Sequence, residues 1–349
     1  MPSVTIDAGV LAPPTEDGSA EDVRRYISTL LDWKKLLKAS WVAVYMSARA
    51  SDALSKDELY PLHKSLRNLF AANGIEEFAV NDVVTVAYAL LQLTPSFEER
   101  FSISDVWTDG LLVDPDILGP SAGSALREDL ARCLILIAIL RRYCGDAIRD
   151  HFLILRDAPG PVVTVQAKIE EIDHNRDDPN GLPTPPEMFK GDVLICDDFR
   201  GFIQCLNESS ILVSSTDISG LEMAIRIALY KSRLEQGDDP DWDNLRGLHI
   251  GRRFIDTVHD SFRNQGDSFP ARVLRAIVET LDEKNMTATH ALRTGSGGGN
   301  PQRKRAADGA GAMRRDIDRD HHLHYWLCSD GVVELASVSY PHNNFLIPE

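Results

Sequence analysis

The chain has few of the marks that name a reaction. Its five cysteines, Cys133, Cys144, Cys196, Cys205 and Cys328, are odd in number and form no Cys-x-x-Cys pair. That leaves buried free thiols in a reducing, cytoplasmic setting as the expectation. No basic segment followed by an apolar one is seen over Met1 to Asp17, so no secretory leader is expected. The most apolar run, Cys133 to Leu140, is too short to span a bilayer and is closed by Arg141-Arg142, so no membrane partner is expected. Positive charge is in deficit. The 37 basic and 53 acidic residues give a formal net charge of −16, which opposes binding of nucleic acid or an anionic membrane over the whole surface.

Templates for catalysis are missing as well. Gly297-Gly298-Gly299 is not followed by the Gly-Lys-Ser/Thr of a phosphate loop, and no Gly-x-Ser-x-Gly elbow occurs. Glu334-Leu335-Ala336 has alanine where a restriction-type core needs lysine. What remains is the composition of an ordinary globular protein, 43% hydrophobic and 26% charged over 349 residues, long enough for about two domains.

The periodicity predicts an α+β protein: an all-helical N-terminal domain, then a C-terminal mixed α/β domain ending in a β-hairpin. Residues 1–20 read as a tail. Residues 21–158 read as helical: Val23, Tyr26, Ile27, Leu30 and Leu31 recur at three- and four-residue spacing, and further stretches follow at Leu59–Ala72, Val80–Leu93 and Leu126–Tyr143. The last is apolar nearly all round and is expected at the centre of its domain. Residues 159–190 carry six prolines and one strand-like run, Val162–Ile169, and read as a linker. In 191–349, strands are expected at Asp192–Cys196, Gly201–Leu206, Ser210–Ser214 and Thr287–Leu292. A helix follows the capping box Ser219…Glu222 and ends near Gly237, and another opens at Pro270.

The densest titratable cluster is Asp316 to Trp326, with three of the ten histidines (His321, His322, His324) in four positions behind Arg314-Arg315. A tight turn on Asp330-Gly331 would set His324 opposite Ser337 and His322 opposite Ser339, with Trp326 opposite Leu335. Side chains alternate along a strand, so His322 and His324 share a face about 6.5–7 Å apart. Two chemistries suit them. Neutral imidazoles with Asp318 or Asp320 as a further ligand suit a divalent metal; a base and an acid suit a phosphodiester, with Arg314 and Arg315 clamping the phosphate. The adjoining Gly-rich loop, Thr294–Ala312, adds Arg303-Lys304-Arg305 as a local basic patch for a nucleic acid or nucleotide, and His290, Arg293 and His342-Asn343-Asn344 are weaker additions. The expected function is a phosphodiester- or nucleotide-directed hydrolase of nuclease type. The alternative is a non-catalytic subunit of a bacterial, defence-like assembly, docking a protein partner through its helical domain and the hairpin aromatics Tyr325 and Trp326.

Overall fold

A computed structural model describes residues 2–15, 17–119, 123–143, 150–176, 182–263, 265–295, 299–339 and 347–348. The chain is α+β and divides into two compact units, Met1–Leu206 and Asn207–Glu349. The boundary therefore falls beyond the expected linker. Residues 162–174 and 187–196 are long strands of the first unit, because their apolar positions alternate and the prolines lie outside the paired runs.

The first unit runs β1 (Ser3–Ile6), α1 (Ala8–Leu11), α2 (Ala20–Leu36), β2 (Ala43–Met46), α3 (Ala50–Lys56), α4 (His63–Asn73), α5 (Val80–Leu93) and α6 (Phe97–Phe101). It continues through β3 (Ile103–Asp114), α7 (Ser124–Tyr143), β4 (His151–Ile154), β5 (Val162–His174), β6 (Glu187–Cys196) and α8 (Phe199–Cys205). Helices dominate the front of the chain, but β1, β2, β3 and β4 lie among them, so this unit is not purely helical. The strand order is β2-β1-β4-β6-β5-β3, with β2, β1, β4 and β6 parallel and β5 paired antiparallel with both β6 and β3. The first residues, expected as a tail, form its fully buried β1.

Two layers of helix cover the parallel half, as such a sheet requires. On one side lies α7, whose Leu130, Cys133, Leu134, Ile137 and Leu140 share a core with Leu153, Val163, Val165, Phe189 and Val193. On the other, Phe202 of α8 meets Phe152 of β4 edge-on at 5.6 Å and Trp33 of α2 at 6.1 Å. His151 is a satisfied core residue. Its ring nitrogens lie 2.7 Å from Ser3 Oγ and 2.9 Å from Thr5 Oγ1, and burial, with Arg141 nearby, pushes its pKa down to about 3.

The second unit contains α9 (Glu208–Ser214), α10 (Ile218–Glu235), β7 (Leu248–Ile250), α11 (Phe254–Phe262), α12 (Phe269–Leu281), β8 (Thr289–Ala291), β9 (Gly311–Asp316), β10 (His322–Leu327) and β11 (Val333–Ser339). Its sheet has the order β7-β11-β10-β9-β8. The runs at 201–206 and 210–214, expected as strands, lie in or beside the short helices α8 and α9. Both open on side-chain caps, Asp198 to Gly201 N and Asn207 to Ser210 N, which satisfy first-turn N–H groups that a strand would leave open. The predicted helices at 221–234 and from Pro270 are present, and Gly237 is left-handed with φ 84°.

Candidate functional site

The terminal hairpin pairs as expected where it matters to the histidines: His322 faces Ser339 and His324 faces Ser337. Nearer the turn it does not. The loop runs from Cys328 to Val332 and Trp326 faces Glu334, and a bulge between the His324 and Tyr325 pairs restores the histidine register. On the adjoining strand β9, Arg314 stands beside His324 and Asp316 beside His322, and His290 of β8 stands beside Arg314. One sheet face thus collects His290, Arg314, Asp316, His322 and His324. His322 Nδ1 lies 2.9 Å from Asp316 Oδ1, His290 Nε2 3.7 Å from Asp316 Oδ2, and Arg314 Nε 3.9 Å from Asp316 Oδ1.

Both imidazoles are buried. His324 is wholly buried, with Nδ1 3.4 Å from Ser337 Oγ and Nε2 3.2 Å from Ser339 Oγ, and His322 is 4% exposed. Both ring nitrogens of His324 are thus answered by serine hydroxyls, as in a satisfied core residue.

The remaining expected residues are not brought to this face. Arg315 alternates to the opposite one, is wholly buried, and bonds Glu279 Oε2 at 2.8 Å together with the carbonyls of Glu279, Lys284 and Asn285. It is a clamp on the end of α12, not on a phosphate. Asp318 sits in the β9–β10 turn, bonded by Arg272 at 3.1 Å and by the His321 ring at 2.9 Å. Partial burial alone would raise its pKa; the bonds from His321 and the Asp320 N–H lower it overall. Asp320 is exposed in the same turn, and His321 packs on Phe269 at 4.6 Å. Among the described residues no three His, Cys, Asp or Glu side chains group to hold a metal ion.

In the Gly-rich loop, Arg305 lies over the Trp326 ring at 5.3 Å and pairs with Glu334 at 2.9 Å and Asp308 at 2.6 Å. Arg293 Nη1 donates to Asn300 O at 2.6 Å. Trp326 and Tyr325, expected as interface anchors, are core residues, and Trp326 Nε1 donates to Pro348 O at 2.8 Å. Gly297, Gly298 and His342-Asn343-Asn344 lie outside the described residues.

A second polar centre, not foreseen from the sequence, lies in the first unit. The strand register sets Ile6 level with Met46 and Ile154, and Ile154 level with Cys196. The residues just past the carboxyl ends of β2, β1 and β6 are therefore Ser47, Asp7 and Asp197, and Arg156 follows Leu155 beyond β4. Ligand crevices of open α/β sheets open beyond these strand ends.

Around them α6 and α7 deliver Glu98, Asp129 and Arg132, each 5%, 4% and 7% exposed. Ser47 Oγ donates to Asp129 Oδ1 at 2.7 Å. Arg132 Nη2 meets Ser47 Oγ at 2.8 Å, Asp129 Oδ1 at 3.1 Å and, most closely, Glu98 Oε1. Asp7 accepts from Gly9 N at 2.8 Å. Burial, and after it the charge of Asp129, push the Asp7 pKa up to about 7. A carboxyl there exists in both protonation states near neutrality, as an acid/base group requires.

Val10, whose N–H donates to Asp7 O at 3.0 Å, and Arg156, whose charge acts on Asp7, line a cavity of about 650 Å³; the Asp7 side chain itself is set behind them and is not part of the lining. Its lining holds three arginines (Arg24, Arg25, Arg156) and six carboxylates, among them Asp157, Asp197 and Asp198. The visible trace of this centre in the sequence is Asp129 and Arg132 inside an apolar helix, where a charge is costly unless it is answered. No protein-family model, curated protein or solved structure matches the chain.

Proposed function

We propose that the chain is a nucleotide- or phosphodiester-directed hydrolase whose chemistry is centred on Asp7 at the end of β1, not on the C-terminal histidines. The observation that carries this reading is the near-neutral Asp7 carboxyl, raised by burial and by Asp129, one layer behind Val10 and Arg156, which line a cavity at the strand ends. A volume of about 650 Å³ falls within the range of small-ligand pockets. Among the described lining residues carboxylates outnumber arginines, six to three, which favours a nucleotide carrying its divalent counter-ion over a bare phosphate. In this reading Asp7 as carboxylate takes the proton of a water that attacks phosphorus. The P–O bond to the leaving group breaks, that oxygen takes a proton from solvent water, and Asp7 returns its own proton to solvent. Arg156, whose charge acts on Asp7, would face the phosphate oxygens.

The test is hydrolysis of nucleoside triphosphates and of RNA and DNA oligonucleotides across pH 5–9. Asp7→Asn should lower kcat by about 10²–10⁴-fold, and the double variant His322→Ala, His324→Ala should retain activity if folded. An Asp7→Asn protein with full activity would end the proposal.

A second reading, a partner-binding subunit, is favoured by one observation. The outer face of β3 and β6 leaves Trp107, Leu112 and Met188 about half or more exposed, where single apolar side chains of this size more often pack. For embedding in a bilayer there is no corresponding support: among the described residues no helix is long and apolar enough to cross a membrane.

A further inference from the structure

The Glu98–Asp129–Ser47 cluster holds an oxygen arrangement that a guanidinium does not need. Arg132 Nη2 alone is surrounded by three oxygens: Glu98 Oε1, Asp129 Oδ1 at 3.1 Å and Ser47 Oγ at 2.8 Å. That nitrogen carries two hydrogens, so one oxygen is held by charge rather than by a hydrogen bond. The guanidinium fork is not used in the paired manner that suits arginine. Nη1 goes elsewhere, to Ser104 O at 3.2 Å, and Nε has no hydrogen-bond partner among the described residues.

The oxygens are also aimed without help from Arg132. Ala48 N and Ser96 Oγ donate to Glu98 Oε2 at 3.0 and 2.9 Å, which leaves Oε1 to face inward, and Arg49 N fixes Ser47 Oγ at 3.1 Å. Asp129 is 4% exposed, yet its Oδ2 has no hydrogen-bond partner among the described residues. The cluster therefore has acceptor capacity that one nitrogen leaves unused. Its charge is short as well: two carboxylates face one guanidinium, and a doubly charged ion would balance them.

We infer that Arg132 is a tethered cation standing where a divalent metal ion would fit, and that it keeps such ions out of the Glu98–Asp129–Ser47 cluster. An all-oxygen set of two carboxylates and a hydroxyl suits hard cations of the Mg²⁺, Mn²⁺ and Ca²⁺ class. The arrangement is a property of α6, α7 and the end of β2, and it holds whether or not Asp7 performs a reaction.

The experiment is Mn²⁺ titration of the full chain by calorimetry, with thermal unfolding in EDTA and in excess Mn²⁺ alongside. Arg132→Met should gain Mn²⁺ affinity of at least about tenfold over the parent, and adding Asp129→Asn should remove the gain. The parent should show no Mn²⁺ binding that depends on Asp129. A folded Arg132→Met protein with no gain overturns the inference, as does a parent whose Mn²⁺ binding is lost in Asp129→Asn. If Arg132→Met is unfolded in EDTA, recovery in Mn²⁺ supports the inference, and failure to recover overturns it.

Discussion

Arg315 separates a structural arginine from a ligand-binding one. Its guanidinium is wholly buried and bonds the Glu279 carboxylate and three carbonyls at the end of α12 and just beyond, where the last turn lacks intrahelical partners. Arg315→Ala would take the charged donor from Glu279, itself partly buried and left with Asn285 Nδ2 at 3.3 Å, and the guanidinium bond from the Lys284 carbonyl; the Glu279 and Asn285 carbonyls keep the N–H groups of Lys284 and Ala288. Removing one partner of such a pair costs about 3–5 kcal/mol. The neighbouring Arg314, on the polar face and 3.9 Å from Asp316, should cost about 1 kcal/mol or less when changed to Ala. Urea unfolding followed by circular dichroism reads both. At a slope of about 2 kcal/mol/M, the Arg315→Ala midpoint for this unit falls by about 2 M, while Arg314→Ala barely moves it. Equal, small shifts for the two variants would refute the assignment of Arg315 as the clamp of α12.

Two further outcomes follow from the first unit. Leu136→Ala, at a fully buried position of α7, should destabilise by about 2–5 kcal/mol in the same assay. Asp7 makes stability fall as pH rises. Between its ordinary value of 3.8 and about 7 the unfolded chain releases a proton that the native state keeps. The loss is at most about 4 kcal/mol, and about half that after solvent screening of a half-buried group; Asp7→Asn should abolish the slope and be the more stable form at pH 8.

Much of the second unit is legible in the sequence, because its signals are local. Pro270 opens α12, Gly237 closes α10, and alternation alone puts His322 and His324 on one face. Whether that face is open is not a local property. It depends on Ser337, Ser339 and the packing around Trp326, so a dense titratable run reads as a site and folds as a core. The bulge in β11 was equally hidden: the loop and the bulge offset one another in register, and the histidine pairs come out unchanged. The first sheet escapes for a different reason. Four-residue strands such as Ser3–Ile6 and Ala43–Met46 are too short to show a period of two, and buried parallel strands have none to show. Asp7 is therefore unremarkable until β1 is placed beside β2 and β4 and α7 brings Asp129 toward it. Asp129 and Arg132 in the apolar helix were the one visible hint.

The account rests on Asp7 holding its proton near neutrality because it is buried and, after that, because Asp129 is close. Nuclear magnetic resonance titration of the Asp7 carboxyl carbon, in the parent and in Asp129→Asn, measures this directly. The expected midpoint is about 7 in the parent and lower once the like charge is removed. A parent midpoint near the ordinary 3.8, or one indifferent to Asp129→Asn, would contradict it.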